Sequence, residues 1–207
     1  MDIQYHGGTS IRITTKKSQT VTDPASDVYA SKVDLKKVDF VLASQEALKP
    51  KVDDDLFVIN FPGEYEFEDC SVKGIATQAF SEASGDKSAT MFRVSTIDTK
   101  VLITGNINEK LTDEQLEGIG VIDILVVPVG GSGYTLDAVG AATVVRAIEP
   151  KLVIPVYFAE DGVKYEVPAA SLDAFVKELG APLDEAVDKF KVKQLPDQMT
   201  MQPLKVS

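Results

Sequence analysis

Two segments of this chain are apolar at nearly every position: Ile122–Val129 (IDILVVPV) and Lys151–Phe158 (KLVIPVYF). A strand with one wet face alternates apolar and polar residues, so an unbroken apolar run reads as a strand covered on both faces. Between the two runs, Thr135 or Asp137 can cap a helix through Ala138–Ile148. Ala138, Ala141, Ala142, Val145 and Ile148 fall on one side of that helix, and Glu149-Pro150 stops it. The fold must therefore supply a covering layer on each side of this sheet.

The remaining segments fill out the same picture. Met1–Tyr5, Thr9–Thr15 and Thr20–Thr22 are short β-branched runs broken by Gly7-Gly8 and closed by Asp23-Pro24. Val38–Ala43, Leu56–Asn60, Tyr65–Phe67, Cys70–Gln78, Thr90–Thr96 and Lys100–Thr104 continue the strand series. Ser81–Lys87 is a polar tip that reads as a mobile loop. Thr112-Asp113-Glu114-Gln115 has the pattern of a capping box, opening a short helix that Gly118 can close. Pro168 can start a third helix that ends at Gly180, and Val192 onward returns to short strands. Strands first and strand–helix units second, with no linker between, predict one α+β or mixed α/β domain over residues 1–207.

The balance of charged residues narrows the partners. The net charge is −11, which repels phosphate backbones and argues against nucleic acid or an anionic membrane. Lys16-Lys17, with Lys32, Lys36 and Lys37, reads as a solvated face. A single cysteine, Cys70, excludes an internal disulfide framework and a thiolate-built zinc site. Neither a signal peptide nor an apolar run of about 20 residues is present, so a cytoplasmic protein is expected.

Several stretches together resemble the metallo-β-lactamase fold superfamily, in its small bacterial branch of zinc-dependent hydrolases. They are Ile3-Gln4-Tyr5-His6-Gly7-Gly8-Thr9, Thr22-Asp23-Pro24 and Asn60-Phe61-Pro62-Gly63-Glu64-Tyr65-Glu66. The longest runs from Leu111 to Ala138, and a last one from Glu149 to Tyr157. The resemblance implies an αββα sandwich with chemistry at the C-terminal edge of its two sheets. In the family that edge carries Thr-His-x-His-x-Asp-His after a buried strand, binding two zinc ions that activate a hydroxide.

The positions that match this motif hold other residues. The loop after Val38–Ala43 reads Ser44-Gln45-Glu46-Ala47-Leu48-Lys49-Pro50. Gln45 stands for the first His, Ala47 for the second, Lys49 for the Asp and Pro50 for the last His. Gln78, Asn106 and Tyr157 occupy the three remaining ligand positions that the resemblance implies. The chain has one histidine, His6, which lies outside all of these. A site built on several imidazoles cannot be assembled from one, whatever the alignment.

The resemblance thus implies the fold, while the residues argue for a pseudoenzyme with no zinc. Gln45, Glu46, Lys49, Gln78, Asn106 and Tyr157 are expected to converge on a vestigial cleft. That cleft either binds a small polar ligand or is a satisfied polar network, and Glu46 and Lys49 can pair there. Asp23 looks like the family's carboxylate behind a ligand histidine, or an Asx-turn cap. Asp137 is a helix cap or a relic of the site. A protein partner on the sandwich surface is the other binding expectation. The alternative is a hydrolase with Mg²⁺ or Mn²⁺ on the oxygens of Glu46, Asp23 and Asn106. His6 reads as a hairpin residue, hydrogen-bonded or exposed, and Cys70 as strand packing. Asp53-Asp54-Asp55 reads as a solvated turn or a Ca²⁺ loop. Gly130-Gly131-Ser132-Gly133 reads as a loop at the site edge or a phosphate cradle.

Overall fold

The computed structural model describes residues 1–24, 33–51, 56–82, 87–160, 163, 165 and 167–207. The acidic run Asp53-Asp54-Asp55 and the centre of the tip at 81–87 lie outside them.

Two sheets pack face to face. Their strands are β1 Asp2–Tyr5, β2 Ile11–Thr14, β3 Gln19–Thr22, β4 Phe40–Leu42, β5 Phe57–Ile59, β6 Gly63–Glu66 and β7 Ser71–Thr77. They continue with β8 Ala89–Ser95, β9 Lys100–Ile103, β10 Ile124–Pro128, β11 Leu152–Val156, β12 Phe190–Lys191 and β13 Thr200–Met201. One sheet has the order β12-β1-β2-β3-β4-β5 and the other β13-β11-β10-β9-β8-β7-β6. Each sheet is mixed. Hairpins give the antiparallel pairs except β1 with β12, which are distant in sequence, and β3–β4–β5 and β9–β10–β11–β13 run parallel.

The unbroken apolar runs have the reason inferred from sequence. Along β10, Ile124 and Val126 enter the core between the sheets. Their neighbours Leu125 and Val127 face the helices instead. In β11, Leu152, Ile154 and Val156 point inward and Val153 outward. Alternation is present in direction but hidden in composition, because both destinations are dry. The outer layer on this sheet contains α1 Asp113–Ile119, α2 Ala138–Ile148 and α3 Leu172–Leu179. Ala141, Ala142, Val145 and Ile148 of α2 pack there with Phe175 of α3, as the periodicity predicts. The outer face of the six-stranded sheet carries Val21 and Val41, covered by Val33, Leu35 and Val38.

Local signals act where they were read, with two shifts. Thr112 and Gln115 form the capping box. The helix nevertheless passes Gly118 and stops at Gly120, which takes φ 64°. Gly118 sits over the side chain of Ile75, where a helical residue without a side chain packs closely. The third helix begins after Ser171, not at Pro168. Ala170 N–H donates to Gly130 and Ala159 N–H donates to Ala170, so the chain stays extended there.

Candidate functional site

Of the residues singled out by the sequence, Asp23, Gln45, Gln78, Asn106 and Tyr157 follow strand ends. They form two groups, one polar and one aromatic.

The polar group is built on Asp23, which ends β3 with φ 43°. Its carboxylate is buried and fully engaged. Oδ1 accepts from Ser44 N–H at 2.6 Å, and Oδ2 accepts from Ser44 Oγ at 2.8 Å and Thr9 Oγ1 at 3.0 Å. Burial raises its pKa to about 6, and the hydrogen bonds from Ser44 and Thr9 pull the other way. Gly105 makes this contact possible, since a Cβ there would stand 2.6 Å from the Ser44 side chain. Gln45 follows Ser44 and bridges to Ala89. Asn106 follows Gly105 and is buried. Its Oδ1 has no hydrogen-bond partner among the described residues. Asn106 O accepts from Phe80 N–H, and Gln78 O accepts from Asn108 N–H, which ties the ends of β7 and β9 together. The amide of Gln78 donates to Glu82 O at 2.9 Å. Asp23, Gln45, Gln78 and Asn106 are therefore brought to one edge.

The aromatic group surrounds Tyr157, which ends β11 with φ 52°. Tyr157 is buried against Leu48, Tyr165 and Ala169. Its ring lies 4.5 Å from that of Tyr165. Its backbone N–H donates to Tyr5 Oη at 3.0 Å, and that hydroxyl donates to Gly8 O at 3.1 Å. Burial first, then Tyr165, raises the Tyr5 pKa well above its ordinary value, so the phenol stays neutral. Leu48 is the one large apolar residue of Ser44–Pro50, the first part of the loop after β4. A 3-10 turn over Glu46–Leu48 sends it inward while Glu46 stays outside. Leu48 and Tyr165 were not singled out from the sequence. For Leu48 a signal existed, a lone large hydrophobe in the polar run SQEALKP; for Tyr165 there was none.

Glu46 and Lys49 do pair, at 3.2 Å, but on the surface. The second carboxylate oxygen of Glu46 accepts from Asn60 at 2.6 Å. Asp137 caps α2, accepting from Val139 and Gly140 N–H. It also shares a cleft of about 690 Å³ with Gln78, lined further by Lys87, Asn108, Glu109 and Lys110.

His6 takes the hydrogen-bonded place expected of a hairpin residue. Its Nδ1 lies 3.2 Å from Ser207 O, and Nε2 accepts from Arg12 at 3.3 Å. Burial, with Arg12 beside it, lowers its pKa. Cys70 is buried, and burial raises its thiol pKa. Gly130, read as part of a possible phosphate cradle, has a packing reason: a Cβ there would lie 2.1 Å from Tyr157 O.

Two sheets face to face, helices outside, and loops gathered at the strand ends define the metallo-hydrolase type of sandwich. Residues 2–157 match the beta-lactamase superfamily domain, about three quarters of the chain, and the chain belongs to that family. Solved structures share its fold. One is a candidate zinc-dependent hydrolase of the metallo-β-lactamase superfamily from Thermotoga maritima. It is 23% identical with a TM-score of 0.77, covering 99% of this chain and 98% of that one. A candidate metal-dependent hydrolase from Parabacteroides distasonis is 15% identical, TM-score 0.66, covering 98% and 93%. The metallo hydrolase Igni18 from Ignicoccus hospitalis is 14% identical, TM-score 0.63, covering 86% and 90%. No curated protein matches the chain significantly.

Proposed function

We propose that this chain is a single-domain member of the metallo-β-lactamase fold that has no zinc centre and no metal-dependent hydrolase activity. Its activity is then binding, of a small polar ligand at the strand-end edge or of a protein partner. The observation that carries the reading is the chemistry of the side chains at the corner. Zinc sites take imidazole, thiolate or carboxylate. The positions matched to ligands hold Gln45, Ala47, Lys49, Pro50, Gln78, Asn106 and Tyr157, which do not fit a zinc pair. Leu48 and Tyr165 pack on Tyr157, so the position matched to the family's last histidine belongs to a small apolar cluster. The net charge of −11 favours a role apart from nucleic acid and anionic membranes. No helix among the described residues is long and apolar enough to cross a membrane.

The alternative is a Mg²⁺ or Mn²⁺ hydrolase on the oxygens of Asp23, Glu46 and Asn106. The hydrogen bonds count against it. Asp23 spends both oxygens on Ser44 and Thr9, and Glu46 spends both on Lys49 and Asn60. The described residues contain no group of three His, Cys, Asp or Glu side chains suited to an ion.

Metal analysis after incubation with Zn²⁺ or Mn²⁺ and desalting tests both readings. Less than a tenth of an equivalent of either metal is expected, and about two equivalents removable by chelator would overturn the proposal. Phosphatase and esterase screens with added Mn²⁺ are expected to show no turnover above buffer.

A further inference from the structure

We propose that the free edge of β6 binds an extended protein segment with basic residues on one face and apolar residues on the other. The proposal rests on the binding reading above, in its protein-partner form, and adds the surface and the chemistry of the partner.

β6, Gly63–Glu66, ends the seven-stranded sheet, and its one ladder among the described residues is with β7. An antiparallel ladder bonds alternate residues of each strand. Phe67 N–H donates to Cys70 O at the turn. Counting back in register, Tyr65 opposite Val72 and Gly63 opposite Gly74 spend their backbone groups on β7. Glu64 and Glu66 therefore turn their N–H and C=O groups to the open side. No backbone hydrogen bond outside the ladder uses them among the described residues. A row of unpaired donors and acceptors is what an added strand needs.

The side chains decide what can pair there. Tyr65 packs on the core between the sheets, so its neighbours Glu64 and Glu66 point to the opposite face, where both are exposed. Glu64 meets Lys73 of β7 at 3.4 Å, and Glu68 beyond the strand is paired with Lys17. Glu66, opposite Ser71, has no ion pair or hydrogen bond among the described residues. On the face of Tyr65, the ring of Phe61 stands edge-on at 6.2 Å and is 57% exposed.

A second copy of the chain does not fit this edge. Residues whose backbone groups face the open side must pair with one another. Any antiparallel register that overlaps two β6 strands then sets Glu64 or Glu66 opposite the same carboxylates of the copy, and like charges directly opposite are destabilising. A strand with Lys or Arg at those positions turns the repulsion into attraction. Its alternate residues fall beside Tyr65 and Phe61, where apolar side chains leave water. The net charge of −11 draws a basic segment to the chain as well.

Three short peptides test this: Lys alternating with Val, Lys alternating with Pro, and Glu alternating with Val. The second keeps the charge of the first but lacks backbone donors at alternate positions, and the third keeps the backbone but reverses the charge. Fluorescence anisotropy at low ionic strength is expected to show the Lys–Val peptide binding about tenfold tighter than either other peptide. With it bound, amide exchange at Glu64 and Glu66 is expected to slow about tenfold, while that at Gly63 and Tyr65, already in the ladder, changes little. Glu64→Lys together with Glu66→Lys is expected to switch the preference to the Glu–Val peptide. Both side chains are exposed, so the thermal melt of the double variant should stay near that of the parent. Equal affinity for the Lys–Val and Lys–Pro peptides, unchanged exchange at Glu64 and Glu66, or an unaltered preference in the variant would each overturn the proposal. Dimerisation of the parent that slows exchange at the same two amides would assign the edge to a second copy and overturn it too. A metal-free chain indifferent to all three peptides would remove this proposal and leave the metal-free reading standing.

Discussion

Asp23 and Tyr157 follow β3 and β11, strands of different sheets, at the same edge of the sandwich, and both have left-handed backbone. Their φ values are 43° and 52°, a conformation that costs a non-glycine residue about 1 kcal/mol or more unless its surroundings hold it. The two are held by different physics. Asp23 is fixed by three hydrogen bonds from Ser44 and Thr9. Tyr157 is fixed by packing, with Leu48 and Tyr165 against its ring and Tyr5 on its amide. A strand-end turn can thus be kept by polar partners that are buried and satisfied, or by apolar ones that exclude water. The first remains sensitive to protons and the second to volume.

The largest effect is expected at Gly130, which supports the aromatic end. Gly130→Ala would force its Cβ into Tyr157 O at 2.1 Å and close on Ala169. Backbone must move, so a loss of about 3 kcal/mol or more is expected in urea unfolding. A melting temperature equal to that of the parent would mean that the aromatic end is not rigid.

At the polar end the distinguishing measurement is pH. The Asp23 pKa rises from 3.8 to about 6 on folding, so the folded state holds the proton more tightly. The associated stability is fully present below about pH 4 and is lost as pH rises through about 6, a difference of about 3 kcal/mol. Asp23→Asn should flatten that slope, while Asp23→Ala strands the Ser44 and Thr9 donors and costs about 2–3 kcal/mol at any pH. Carbon-detected NMR titration of the Asp23 carboxyl gives the value directly. A midpoint near 4 would show that the hydrogen bonds outweigh burial.

Leu48→Ala tests volume at the aromatic end. Removing a buried Leu from so small a cluster is expected to cost about 2–3 kcal/mol, with no change in pH dependence. The smallest effect belongs to Lys49→Met. Its partner Glu46 is well exposed, so less than 1 kcal/mol should be lost. A larger loss would mean that this surface pair replaces a buried charge after all.

How much of this was legible in the chain differs between the same two places. Asp23 could be marked from Asp-Pro and Asp137 from its place before an apolar helix, because caps and turns depend on neighbours in sequence. The capping box at Thr112 and Gln115 was legible for the same reason. The pairing of Glu46 with Lys49 was expected in the cleft, and it forms on the surface instead. The aromatic corner was not legible. Tyr157 meets Leu48 across more than one hundred residues, and nothing near Leu48 in sequence says which way the 3-10 turn will face it. The two glycines at 105 and 130 look like loop residues until Ser44 and Tyr157 are placed against them.

What the sequence by itself determined is the layering and the missing donors. Apolar runs at 122–129 and 151–158 require cover on both sides, and one histidine cannot supply a multi-histidine site. Those conclusions rest on composition and period, which survive any arrangement of the chain. Only the tertiary structure decided what stands at the strand ends. The polar residues expected to form one cleft divide into a buried hydrogen-bonded turn, an aromatic cluster and a surface ion pair. The physical reason is burial. Whether a carboxylate, a phenol or an ammonium group is desolvated depends on what distant segments bring against it, and that is settled only when the sheets have closed.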